Sequence, residues 1–247
     1  MAQQDRAIRT RRSILEAAAR VFGERGYASA TVEEILNRAG VTRGALYFHF
    51  SSKEEVALGV LEAQLPLDRL PERSSKLQKL VDHGMVMAHR LQHDPLVQAG
   101  VSLALDQGAR ELDRDAAFRA WTEQLEQILT EARSQGELLP HIDVTDTAEF
   151  LTGAFAGVQA MSQASCNRAD LGRRVSVLLR HVLPSISTPA LLAALDLSPD
   201  RGERVFEEYE ANSPAPAAPV TQGQRSHTGN QTDRSGRSEL HSHDSPA

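Results

Sequence analysis

The ten residues VTRGALYFHF, at positions 41–50, mix hydrogen-bond donors, small residues and aromatic rings in the proportions that suit a helix laid into a nucleic-acid groove. Thr42 is a helix cap whose hydroxyl reaches toward a phosphate, beside free first-turn N–H groups that favour an anion. Arg43 offers a planar fork for a guanine edge or a phosphate. Gly44 and Ala45 keep the helix face thin enough for close approach. Tyr47 and His49 can hydrogen-bond to the sugar-phosphate backbone. Val41, Leu46, Phe48 and Phe50 are expected to turn the other way, into a core. Lys53, at the start of the next helix, is expected to touch a phosphate.

These side chains need a frame, and the flanking residues describe one. Ile14, Leu15, Ala18, Val21 and Phe22 recur at helical spacing and Gly26 ends the run, so residues 6–25 predict an amphipathic helix with arginines along its leading half. Thr31-Val32-Glu33-Glu34 reads as a capping box opening a second, short helix with Val32, Ile35, Leu36 and Ala39 on one face and Gly40 as its stop. Thr42 caps a third helix running to about His49. Ser52-Lys53-Glu54-Glu55 is a further capping box, with Val56, Val60 and Leu61 inward. Two short helices joined by a glycine-containing turn make a helix-turn-helix.

The charge is divided along the chain in the same sense. Residues 1–53 hold nine Arg or Lys against five Asp or Glu, while the remainder holds eighteen against twenty-eight, for a net −6 overall. A basic head on an acidic body suits a small module that meets phosphates and a larger part with another task. It also argues against a protein that coats DNA along its whole surface. No glycine-rich phosphate loop, G-x-S-x-G elbow or H-E-x-x-H is present, which excludes the common enzyme motifs, and nothing implies a cofactor. No stretch approaches the roughly 18 apolar residues of a membrane span, and the arginine-rich start has no apolar signal core behind it, so a cytoplasmic protein is expected. The single cysteine, Cys166, is expected to be a buried, inert thiol. His89 with His93, and His241 with His243, have metal-ligand spacing but lack companion ligands, so no metal site is expected.

Beyond residue 75 the apolar spacing stays helical and no alternation suggests a sheet, giving an all-α chain. Leu77, Leu80, Val81, Met85 and Ala88 form one stripe. Asp94-Pro95 restarts the chain as a cap with proline at the first helical position. Phe118, Trp121, Leu125, Ile128, Leu129 and Ala132 form a longer stripe stopped by Gly136, and helices follow over about 145–164 and 168–183, the last with Leu171, Val175, Leu178, Leu179 and Val182 inward. A lone tryptophan in such a stripe either fills a core or lines a cavity. Gln159 and Ser162 face that same space or solvent. The small residues Gly153, Ala156, Gly157 and Ala160 let helices pack closely, within the core or across a dimer interface. From Asn212 onward the composition turns to Ser, Pro, Gln, His, Thr and Gly, so residues 212–247 are expected to be a disordered tail.

The run from Ile14 to Lys53, with TVEEILNRAGVTRGALYFHFSSKEE at its centre, resembles the DNA-binding domain of TetR-family repressors. RAIRTRRSILEAAARVF, GALYFHFSSKEEVALGVLEAQ, FRAWTEQL, GELLPHIDVTD, GAFAGVQ and LLAALDLSPDRG, spread from about residue 3 to 205, resemble one branch of it, the actinobacterial gamma-butyrolactone autoregulator receptors. The resemblance implies a homodimer with an N-terminal helix-turn-helix domain, residues 1–53, and a helical ligand-binding and dimerisation domain, residues 54–211. Such a protein binds operator DNA and releases it on taking up a small lipophilic signal. It further implies that Trp121 and Gln64 line the hormone pocket, and that the small-residue helix and the last packed one form the dimer bundle. Arg43 stands where the branch commonly has lysine. Relatives of the branch that answer butenolides or antibiotics give the alternative reading; the acidic isoelectric point of about 5.9 leans toward the hormone receptors.

Overall fold

The structure, a computed structural model, describes residues 2–63, 70–106, 108–109 and 112–212. Among these residues it is built of helices, and the one β-type contact is an isolated bridge between Leu138 and Ser187. α1 (Ala2–Arg25), α2 (Val32–Ala39) and α3 (Arg43–His49) form the head. At α2 the capping box forms as the sequence requires: Glu34 N donates to Thr31 Oγ1 at 3.2 Å, and Thr31 N donates to Glu34 Oε2 at 3.0 Å. Gly40, at φ +64°, makes the left-handed stop that a side chain disfavours, and the chain re-enters a helix two residues later.

α4 (Lys53–Ala63) is capped over two serines. Ser52 Oγ accepts from Glu55 N at 3.0 Å, but the Glu55 carboxylate accepts from the N–H and hydroxyl of Ser51 at 2.5 and 2.6 Å, one residue earlier than a regular box. Val56, Ala57 and Val60 of α4 are fully buried in the same core as Ile14, Ile35, Leu46 and Phe50. The apolar core of the head therefore runs past residue 53 to Leu61.

The body is made of α5 (Lys76–His93), α6 (Pro95–Leu105), α7 (Arg114–Ser134), α8 (Val144–Cys166), α9 (Leu171–Ile186), α10 (Pro189–Leu192) and α11 (Arg201–Asn212). Asp94 caps α6 by accepting from Leu96 N and Val97 N, with Pro95 where no N–H is needed. α9 begins later than its apolar spacing suggests. Asn167 and Arg168 both take left-handed backbone, at φ 51° and 65°, and so close α8 before a new helix can start.

α6 lies between two cores. Its Val97 and Val101 belong to the body core with Leu80, Met85, Leu129 and Leu179, whereas Ala99, Leu103 and Ala104 belong to the head core. Trp121 of α7 packs against both.

α11 is absent from the sequence reading, because RGERVFEEYEAN buries only Gly202 and Val205. What holds it is tertiary. A Cβ at Gly202 would sit 2.1 Å from the Met85 carbonyl oxygen, so only glycine lets α11 approach the α5 backbone so closely. Beside that contact lies Asp82, 1% exposed, which accepts from Arg73 Nε at 2.6 Å and from Arg201 Nε and Nη2 at 2.8 and 2.9 Å. Gln78 Nε2 adds a bond to Asp82 Oδ1 at 2.8 Å, so the buried carboxylate is satisfied from both helices and the preceding loop. Residues 213–247, which hold almost all of the expected tail together with His241 and His243, lie outside the described residues.

Candidate functional site

Two parts of the molecule concentrate chemistry, the outer face of α3 and a cavity inside the body. On α3, Thr42 is exposed and its hydroxyl accepts from Ala45 N at 3.2 Å. Arg43 is exposed, its guanidinium 5.6 Å from the ring centroid of Tyr47 one turn on. Nothing lies within 4 Å of where a Cβ would stand on Gly44, so that face is open. Tyr47 is 45% exposed, and His49 is partly covered by Phe48, edge-on at 5.0 Å between centroids.

Phe48 departs from expectation. It is 79% exposed, while Leu46 and Phe50 are buried and Val41 packs against the head core. Helical rotation explains the difference: at about 100° per residue Phe48 lies about 200° from Leu46, on the opposite face, whereas Phe50 has left the helix in extended backbone. The outer face therefore carries an aromatic ring besides its polar groups.

Lys53 is only partly exposed. Its ammonium donates to Tyr27 O at 2.9 Å and Ala30 O at 3.1 Å and lies 4.4 Å from the Tyr27 ring centroid. It ties α4 to the loop before α2, and of its three donors one is left for an anion.

The cavity encloses about 90 Å³ between α5, α6, α7, α8 and α9. Leu80, Met87, Val101, Leu125, Phe155 and Leu179 give it an apolar wall. Four residues with polar side-chain groups interrupt that wall: His83, Trp121, Thr152 and Gln159. The Thr152 hydroxyl is occupied, donating to Ala148 O at 2.9 Å and accepting from Thr122 Oγ1 at 3.1 Å. Trp121 stands edge-on to Phe118 at 5.1 Å, and its indole Nε1 is buried without a hydrogen-bond partner. Gln159 is 1% exposed and its Oε1 accepts from Nε and Nη2 of the buried Arg168 at 3.3 and 3.2 Å. Burial lowers the pKa of the His83 imidazole to about 4, with a smaller push from the Lys79 charge, so the ring is neutral near pH 7.

The structure brings Trp121 and Gln159 together on this wall and leaves Ser162 out of it. Ser162 is fully buried one turn further along α8, where its hydroxyl donates to Asp170 Oδ1 at 2.7 Å and secures the corner into α9. Gln64 lies outside the described residues. The small-residue stripe divides: Ala156 lines the cavity, whereas Gly153, Gly157 and Ala160 are exposed on the outer face of α8. Cys166 is exposed rather than buried, its thiol 3.1 Å from Asp170 Oδ1, because the left-handed turn at Asn167 ends α8 at the surface. His83 and Arg168 are absent from the sequence reading. A histidine three residues after Leu80 falls on the inward stripe and was a legible signal, but nothing local marks Arg168.

A capped two-helix reader with its donors outward, carried on a helical body with an apolar cavity, is the build of a helix-turn-helix regulatory protein. Residues 14–60 match the family model of bacterial regulatory proteins of the tetR family, and residues 95–177 that of the tetracyclin repressor-like C-terminal domain. The chain is 38% identical to the A-factor receptor protein of Streptomyces griseus over 88% of its own length and 80% of that protein's. It is similar to the crystal structure of tylP, a tetR regulator from Streptomyces fradiae, at 42% identity and a TM-score of 0.78, covering 87% of this chain and 96% of that one. A gamma-butyrolactone receptor described as ArpA-like matches at 30% identity and a TM-score of 0.55, over 82% of this chain and 98% of that one. The chain belongs to the TetR family; it is a DNA-binding transcriptional repressor and not an enzyme. Among the described residues no helix is long and apolar enough to cross a membrane.

Proposed function

We propose that this repressor binds its operator as a homodimer through α3 and lets go when a small lipophilic molecule of the gamma-butyrolactone type enters the body cavity. The observation that carries the reading is Trp121, which at once lines the cavity and packs against the head core. α6 has the same double position, with Val101 and Leu105 on the cavity wall and Ala99 and Leu103 in the head core beneath α1 and α4. A molecule that displaces Trp121 or α6 therefore strains the packing under the DNA reader. Such a molecule frees the operator only by binding the non-reading arrangement more tightly, since equal affinity shifts no equilibrium. The names of the A-factor and gamma-butyrolactone receptors among its relatives support a hormone of that class.

Thr42, Arg43, Gly44, Tyr47, His49 and Lys53 form the operator contact in this reading, joined by Phe48, whose exposed ring suits a thymine methyl or a deoxyribose. The dimer uses the outer face of α8, where Phe150 and Met161 are 58% and 59% exposed along the line of Gly153, Gly157 and Ala160, together with Val177 of α9. Two readers then meet successive major grooves about 34 Å apart.

The test uses the one tryptophan of the chain as its reporter. A gamma-butyrolactone added to the protein–operator complex is expected to change Trp121 emission over the same concentrations that abolish the gel shift, and Trp121→Ala is expected to bind operator and stay bound. Release of that variant as readily as the parent would place the signal elsewhere. A response to butenolides or antibiotics but to no butyrolactone would select the alternative ligand class.

A further inference from the structure

The polar groups of the cavity are arranged more narrowly than an apolar pocket needs. An arginine has no acceptor, so the side of Gln159 that faces Arg168 must be its carbonyl oxygen. The amide NH₂ is thereby directed away from Arg168, and it makes no hydrogen bond among the described residues. Arg168 is itself 6% exposed and has no carboxylate partner there; its guanidinium donates to Gln159. A rotation of the amide would put NH₂ against a buried guanidinium, leaving donors facing donors at the cost of both of those hydrogen bonds. The second unpaired group on the wall, Trp121 Nε1, is a donor by chemistry and cannot become anything else.

We propose that Arg168 is a positioning residue that sets the ligand class: by fixing the Gln159 carbonyl it makes Gln159 and Trp121 a pair of donors, which selects an uncharged molecule carrying carbonyl acceptors over a hydrocarbon of the same shape. This rests on the cavity being the ligand site. His83, neutral because of its burial, adds no charge to the wall. The unpaired donors of the wall residues, Trp121 Nε1 and the Gln159 amide, are uncharged, so the selection is for acceptor groups, and buried donors left without a partner reject a ligand that lacks them.

Three probes of matched shape separate the possibilities: γ-decalactone, 2-hexyltetrahydrofuran and hexylcyclopentane, each titrated into the full-length protein with Trp121 emission as readout. The parent is expected to prefer the lactone to the hydrocarbon by on the order of tenfold or more, the ratio of one net hydrogen bond, with the ether between them. Gln159→Glu keeps an acceptor against Arg168 but removes the NH₂. It is expected to lose most of the lactone preference over hexylcyclopentane while remaining competent to bind operator. Arg168→Met frees the amide to turn and is expected to reduce the preference in the same direction, with Arg168→Lys restoring part of it. Circular dichroism confirms that each variant is folded, and the Gln159→Glu result stands alone if Arg168→Met is not. An undiminished lactone preference in Gln159→Glu, or a parent that binds lactone and hydrocarbon alike, overturns the inference and leaves the cavity as the ligand site. Failure of all three probes to bind the parent removes the ligand-site reading and this inference with it.

Discussion

The head and the cavity handle polar groups in opposite ways. Around α3 the donors and acceptors that shape the fold are paired within the head: Thr31 with Glu34, Thr42 with Ala45, Ser52 with Glu55, Lys53 with the carbonyls of Tyr27 and Ala30. The groups left over on α3 point into solvent, where water can satisfy them. Inside the body the reverse holds. In the cavity wall Trp121 Nε1 is buried with no hydrogen-bond partner and the Gln159 amide N–H groups make no hydrogen bond among the described residues, at a cost to stability. A rigid reader suits a partner whose shape is constant, and an incompletely satisfied cavity suits one whose arrival has to change the balance between two arrangements.

Four measurements break or sharpen that contrast. The largest effect is expected at the buried Asp82: Asp82→Ala takes away the carboxylate shared by Arg73 and Arg201, leaving the first to Glu208 and the second to Asp196, and should cost about 3 kcal/mol in denaturant unfolding, largely by loosening α11 from α5. A loss under about 1 kcal/mol would mean that α11 is held by its apolar contacts.

The next is the pH response of the cavity. His83 has a folded pKa of about 4 against an ordinary value of 6.5, so between those values the unfolded chain holds more protons and stability should fall as pH falls, by up to about 3 kcal/mol, with no contribution from this group above about pH 7. His83→Gln should flatten that part of the curve; an unchanged slope would assign it to other groups.

Lys53→Ala should then cost the head about 1–3 kcal/mol, since two carbonyls lose a charged donor. If the third donor also meets a phosphate, the slope of operator affinity with salt should drop by roughly one. Lost stability with an unchanged salt slope would confine Lys53 to the fold. The smallest stability effect belongs to Phe48→Ala, within about 0.5 kcal/mol because the ring is exposed, while operator affinity should fall measurably. Equal affinity would take Phe48 out of the interface.

The contrast also explains which features could be read from the residues alone. Caps, stops and inward stripes act over three or four residues, so the capping box at Thr31, the left-handed Gly40, the Asp94-Pro95 start and the stripe from Phe118 to Ala132 are written locally and appear in the structure at those positions. Leu46 follows the same rule, and Phe48 departs from the expectation because alternate apolar residues cannot share one side of a helix that turns about 100° per residue. Trp121 was legible as a stripe residue, but its place between two cores was not.

Helix propensity, capping and periodic burial are properties of neighbouring residues, so the residues alone dictate an all-α chain with a basic helix-turn-helix at its start. Tertiary structure alone decided that α11 seats on Gly202 and the Asp82 cluster, that Ser162 secures a corner while Gln159 lines the cavity, and that the Gln159 carbonyl turns to Arg168. Gln159 and Arg168 are nine positions apart across a left-handed turn, and Asp82 and Arg201 are 119 apart. No local rule couples such pairs. Their meeting is set by how whole helices pack, and the chemistry of the cavity is set by which polar groups that packing leaves unpaired.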